Sequence, residues 1–311
     1  MSNQLFHSSI KVIGLNNLPS LGRLFGLLAC VAALVVTFAC GKDDTNSRDK
    51  SNLGKEKTGP STGKSFTDNL PAGLALPDRT DKTGRRLLSD YGAMFVARGG
   101  AAPPPVIIFS GDAELEKWQG SVATAREDIN GVAIELQQPA MTALLDARRE
   151  AQGSQLDITP RGSDAAKRNY ADTVRLWQSR VDPGLDHWVK EGRLNKSEAT
   201  RIRQLSPRDQ ISEILSLEDN GMYFSKDFAK SILYSVAAPG SSQHLSMLAL
   251  DVNQYDNAEV RTILARHGWF QTVASDTPHF TFLGVQEEDL PSLGLKKMTN
   301  SVQTFWIPQL D

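Results

Sequence analysis

Cysteine is nearly absent: two residues in 311, Cys30 and Cys40, both near the N-terminus. The rest of the chain therefore has no thiol for a disulfide framework or a cysteine nucleophile. An excess of charge is also missing. Against 36 Asp and Glu stand 34 Lys and Arg, a formal net charge of −2, so the basic footprint of a nucleic-acid binder is not there and no nucleic-acid partner is expected. No internal repeat is visible, which argues against a solenoid. What remains is ordinary for a globular protein: 40% apolar and 23% charged residues, in a length that suits one large domain or two small ones.

The N-terminus is the first informative stretch. Arg23 is followed by the uncharged run LFGLLACVAALVVTFAC, shorter than the roughly 20 residues of a spanning helix but suited to a signal-peptide core. At its end Thr37-Phe38-Ala39-Cys40 resembles a bacterial lipobox, in which the cysteine is lipidated and becomes the new N-terminus. Leu27-Leu28-Ala29-Cys30 is closer to the consensus in its letters, but Cys30 lies mid-run and would leave an apolar stretch on the mature protein, so Cys40 is preferred. The alternative is an uncleaved anchor helix. Either way the globular part is expected to be exported and held at a membrane of the bacterial cell envelope.

Residues 1–40 thus read as a lipoprotein signal peptide. Residues 41–84, rich in Lys, Asp, Ser, Thr, Asn and Gly with almost no apolar clusters, read as a flexible tether. Residues 85–311 read as the folded domain. Strands are expected at 93–97 and 106–109, split by the GGAAPPP loop, and a helix at 140–151. A short strand follows at 156–159, and helical patterns dominate 164–233. Within that block Ser206-Pro207 supplies an N-cap followed by proline at the first helical position. Strands return at 248–252, 270–273 and 279–283, with a helix at 257–267. Strands scattered around a block of helices predict an α+β domain with a small mixed or antiparallel sheet. Residues after Gly284 carry no assigned role.

The chemistry gathers in SSQHLSMLALD, residues 241–251. Strand alternation puts Met247, Ala249 and Asp251 on one face, so Asp251 sits among apolar neighbours, where a carboxylate is costly unless paired or bound to a metal. His244 lies in the loop just before, and His279 opens another strand after a stiffening proline. Two histidines and a carboxylate form a catalytic zinc set with an open position for water. Bound there, Zn2+ lowers the pKa of that water and polarises a carbonyl. A carboxylate is then needed to carry the proton, and Asp276, three residues before His279, is placed for it. The competing reading is a surface histidine ahead of an ordinary strand.

A resemblance adds to this. The run Ser-Gln-His-Leu-Ser-Met-Leu-Ala-Leu-Asp (242–251) is similar to the S-x-H-x-x-G-x-A-x-D motif of the VanY-like zinc D-alanyl-D-alanine carboxypeptidases and dipeptidases, which share a fold with the hedgehog signalling domain. Ser242, His244, Ala249 and Asp251 match, and Met247 stands where the motif has glycine. Ala238-Pro239-Gly240-Ser241 resembles the family's entry loop, and Arg266-His267-Gly268-Trp269-Phe270 its helix end. The family's E-x-x-H element is here Asp276-Thr277-Pro278-His279, so Asp276 stands in for the general-base glutamate. The resemblance implies His244, Asp251 and His279 as zinc ligands, Asp276 as catalytic base, Ser242 as a substrate or supporting contact, and an arginine that grips the substrate's terminal carboxylate. Arg161 in ITPRGSD is the best match for that arginine and Arg168 the fallback; a guanidinium suits the task because it binds a carboxylate through two parallel hydrogen bonds. It also implies a hedgehog/DD-peptidase-like fold, here with an enlarged helical insertion, and peptidoglycan peptides as partners.

His267 ends a predicted helix and reads as a capping cation, while His187 has no acidic or histidine partner at ligand spacing. The expected function is a lipid-anchored zinc metallopeptidase acting on cell-wall stem peptides. The alternatives are an envelope lipoprotein that keeps the metal but not turnover, and a structural envelope protein without metal.

Overall fold

The computed structural model describes residues 65–300 and 302–310. The signal-peptide reading, Cys40 and most of the expected tether lie outside the described residues. The packed chain nevertheless begins well before Arg85. Phe66 is fully buried in the main core, and Asp81 caps the first helix, α1 (Lys82–Tyr91), by accepting from the Gly84 N–H. The part of the expected tether from residue 65 onward is therefore folded: its polar composition hid one aromatic anchor and one cap.

The described chain is α+β. After α1 come α2 (Asp112–Gln119), strands β1 (Thr124–Ile129) and β2 (Val132–Gln137), and α3 (Gln138–Gly153). The helical block follows as α4 (Tyr170–Lys190), α5 (Lys196–Arg203) and α6 (Pro207–Asp219). Then come β3 (Ala249–Asp251), α7 (Ala258–Arg266), β4 (Trp269–Phe270), β5 (His279–Phe282), β6 (Leu295–Thr299) and β7 (Thr304–Pro308). All strand pairs are antiparallel: two hairpins, β1–β2 and β6–β7, and a three-stranded sheet in the order β3–β5–β4. Among the described residues no helix is long and apolar enough to cross a membrane.

The main core joins the sheet, α3, α7 and the segment after α1 through Leu250, Phe280, Phe282, Trp269, Leu144 and Ile263. A second core lies inside the helical block, around Trp177, Val181, Leu185, Ile211 and Phe224. As expected, Ser206 caps α6 by accepting from the Asp209 N–H and Pro207 takes the first position.

Three expected strands are not formed. Residues 93–96 belong to a 3-10 turn, Gly92–Val96, whose five residues are all buried, and Ala97 ends it. A uniformly apolar run carries no period that separates strand from buried turn. Residues 106–109 run irregularly after three prolines, which have no N–H to give a ladder, and Phe109 donates only to the Gly240 carbonyl at 2.9 Å. Residues 156–159 remain outside any strand, and the neighbouring Pro160 makes a single bridge to Val252.

The hairpin β1–β2 is an addition. It turns on Asn130 and Gly131, both at positive φ (54° and 79°), the two-residue turn that Asn-Gly favours. The segment after Gly284 also has a place: the Trp306 N–H of β7 donates to the Gln271 carbonyl at 2.9 Å, extending the region beside β4.

Candidate metal centre

The three-stranded sheet sets the geometry. Asp251 lies directly opposite His279 and Ala249 opposite Thr281, so Asp251, His279 and Thr281 share one face. Leu250 and Phe280 point the other way into the main core. One face is thus apolar and the other carries a polar layer.

His244 reaches this layer from a 3-10 turn, Gln243–Ser246. Ser242 starts that turn by accepting from the His244 N–H. The approach to it is tight: Gly240 has φ +77°, and a Cβ there would lie 2.2 Å from the Phe109 carbonyl oxygen, so only glycine fits. Met247 ends the turn in the left-handed region at φ 57° and is fully buried. The position matching the motif's glycine is therefore one whose backbone favours glycine.

His244 is 2% and His279 4% exposed, and Asp251 is largely buried. His244 Nδ1 lies 2.7 Å from the Ala166 carbonyl oxygen and must donate to it, which leaves the Nε2 lone pair turned inward. Asp251 Oδ1 stands 3.4 Å from His244 Nε2 and 3.1 Å from His279 Nδ1. The two rings meet edge to face with centroids 4.8 Å apart. The other carboxylate oxygen, Oδ2, accepts from the Arg168 guanidinium at 3.0 Å. Burial alone would raise the Asp251 carboxyl, but its contacts with His244 and His279 outweigh burial and hold it well below the usual carboxylate range. Burial pushes the His244 imidazole down against the pull of the Asp251 charge.

These residues can hold a metal ion. One ligand atom from each of His244, Asp251 and His279 lies within 4.8 Å of the others. Bonds of about 2.0–2.1 Å from nitrogen and oxygen to a tetrahedral ion imply ligand-to-ligand edges of about 3.4 Å. The two edges from Asp251 Oδ1, at 3.4 and 3.1 Å, match. A neutral imidazole and an ionised carboxylate are the protonation states that such an ion requires.

Asp276 and Arg161 stand further out. Asp276 is exposed on the turn before β5, where its carbonyl accepts from the His279 N–H at 3.2 Å. Its carboxylate joins burial and Asp90 in pushing up the phenol of Tyr91. The Arg161 N–H donates to the Asp251 carbonyl at 2.9 Å, while its exposed guanidinium lies over the Tyr255 ring. Arg168 is the arginine that contacts the cluster. His267 caps α7 and pairs with Glu150 at 2.7 Å, and His187 stacks on Phe228; neither joins the centre.

Sequence reasoning missed the supporting layer. Gln243 lies 2.8 Å from His279 Nε2, and Thr272 and Thr281 hydrogen-bond to Gln243 and to each other. The signal available was the adjacency of Gln243 to a ligand; nothing in the sequence marked the threonines. Comparison of the chain with family models, curated proteins and solved structures finds no match.

Proposed function

We propose that this chain is a zinc-dependent metallopeptidase of the D-alanyl-D-alanine carboxypeptidase type, with a hedgehog/DD-peptidase-like fold, acting on peptidoglycan stem peptides. One observation carries the reading: one ligand atom from each of His244, Asp251 and His279 lies within 4.8 Å of the others, with both histidines at tetrahedral edge lengths from Asp251 Oδ1. His244, Asp251 and His279 would hold Zn2+, which when bound polarises a substrate carbonyl and lowers the pKa of water. Arg161, exposed over the Tyr255 ring, would supply the cation that grips a substrate carboxylate, with Arg168, already on the Asp251 carboxylate, as the alternative. Asp276, exposed on the turn before β5, is the carboxylate assigned to carry the proton. Ser242 serves by capping the turn that holds His244. Lipid on Cys40 would keep the domain in the cell envelope beside its substrate.

The test is incubation with purified muropeptides and mass analysis of the products. Loss of terminal D-alanine, abolished in Asp276→Ala while zinc is retained, is the expected result. A second reading, a metal-binding envelope lipoprotein without turnover, draws on the near-complete burial of both histidines and the exposure of Asp276. Zinc in the wild type with no cleavage of any muropeptide would establish that reading instead.

A further inference from the structure

We infer that the cleft between α7 and the β6–β7 hairpin is a second binding site, for a small molecule with one carboxylate and an apolar body. The cleft encloses about 400 Å³, within the roughly 300–1,000 Å³ of small-molecule sites. α7 supplies one wall through Arg261 and Ala265, four residues apart on one helix face, and Trp306 of β7 supplies another. The buried rings of Trp269 and Phe280 line its floor. Phe280 follows His279 in β5 and so lies on the strand face turned away from the metal centre.

The polar groups of the cleft decide the ligand, and most of them are already engaged. Arg266 pairs with Glu150, and Glu287 with Lys297 at 3.4 Å. The Thr262 hydroxyl donates to the Ala258 carbonyl at 3.0 Å, and the Gln271 amide to the Thr277 carbonyl. Two donors are left. The Trp269 indole N–H is buried with no hydrogen-bond partner among the described residues. Its ring meets Phe282 in a tilted contact, centroids 5.5 Å apart, which offers a donor at most a weak π acceptor. Buried donors are almost always satisfied, so an orphan in the floor of a cleft points to an acceptor from outside the chain. The half-buried Arg261 guanidinium donates to the Tyr255 carbonyl at 3.0 Å, but among the described residues no carboxylate pairs with it. A guanidinium with open N–H groups grips a carboxylate through parallel, charge-assisted hydrogen bonds. Glu288, exposed at the same cleft without a cation on it among the described residues, opposes a second negative charge. The aromatic floor and Trp306 suit an apolar body.

The experiment titrates the full chain with 3-phenylpropionate, using 3-phenylpropan-1-ol as the neutral counterpart and phenylsuccinate as the dicarboxylate. The Trp269 indole 1H–15N cross-peak, assigned by its loss in Trp269→Phe, reports the site. Saturable binding of 3-phenylpropionate that shifts this peak is expected, with the alcohol and phenylsuccinate both binding more weakly. Arg261→Gln keeps a donor for the Tyr255 carbonyl but removes the charge, and should weaken 3-phenylpropionate by about 10-fold or more. If Trp269→Phe does not fold, the affinity change in Arg261→Gln decides. No saturable binding, an unmoved Trp269 peak, equal affinity for the alcohol, or unchanged affinity in Arg261→Gln overturns the inference. Phenylsuccinate binding as tightly as 3-phenylpropionate overturns the restriction to one carboxylate. Neither zinc nor muropeptide enters these measurements, so the inference stands or falls apart from the proposed function.

Discussion

Met247 offers a test in which two physical effects oppose each other. Its backbone is left-handed at φ 57° and its side chain is fully buried. A non-glycine residue in that conformation costs about 1–2 kcal/mol. Truncating a buried Met to Ala costs about 2–5 kcal/mol through lost burial and the cavity left behind. Met247→Ala should therefore lose about 2–5 kcal/mol, because it keeps the strain and removes the side chain. Met247→Gly removes the side chain and relieves the strain, at about 0.5–1 kcal/mol for added freedom in the unfolded chain. The glycine variant should then be the more stable of the two by about 0.5 kcal/mol, the reverse of their usual order in regular structure. Both should remain less stable than the wild type. Urea unfolding followed by tryptophan fluorescence reads all three, with an unchanged m-value as the check that stability alone has moved. A glycine variant less stable than the alanine variant would refute the strain argument. A glycine variant more stable than the wild type would refute the packing argument.

Further expectations follow from the site and its surroundings. Metal analysis should find one zinc per chain, lost in His244→Ala, and zinc at a hundred times its Kd should stabilise the apo protein by about 2.7 kcal/mol in a thermal melt. Arg168→Met should cost about 3 kcal/mol in urea unfolding by stranding Asp251 Oδ2, and no measurable loss would show that the ion pair contributes nothing. Glu218 accepts from the Phe224 and Ile232 N–H groups, and burial raises its carboxyl, so Glu218→Gln should leave stability within about 1 kcal/mol while Glu218→Leu costs about 3 kcal/mol. His244 and Asp251 both bind protons more weakly folded than unfolded, so each contributes stability that is lost on acidification. Urea midpoints of the metal-free protein should fall below about pH 6.5 as the unfolded His244 takes up its proton, and again below about pH 3.8 through Asp251. A midpoint that rises on acidification through pH 6.5 would contradict the assignment of His244.

Much of this arrangement was legible from residues alone, because it rests on local rules. The Ser206-Pro207 cap, the helices of the central block and the strands carrying Asp251 and His279 all obey short-range periodicity or capping chemistry. The α+β class followed from the same patterns, while the three residues that could hold a metal were singled out by their types and by resemblance to a family motif. Other elements escaped for stated reasons. Residues 93–97 and 106–109 are apolar without a period, so their burial did not reveal their conformation. The Asn130-Gly131 turn was a local signal left unread, whereas Phe66 anchors through a single residue that no periodicity announces.

Which side chains converge is a different kind of information. His244, Asp251 and His279 are named by the sequence, but the pairing of Asp251 with His279 depends on strand register, and a slip of one residue would turn His279 to the opposite face. Gln243, Arg168 and the Ala166 carbonyl enter only through contacts between segments distant in the chain. Local pattern selects residue types and faces because backbone periodicity acts over a few residues. Protonation state, tautomer and ligand direction depend on burial and on partners tens of residues away, and only the packed fold brings those together.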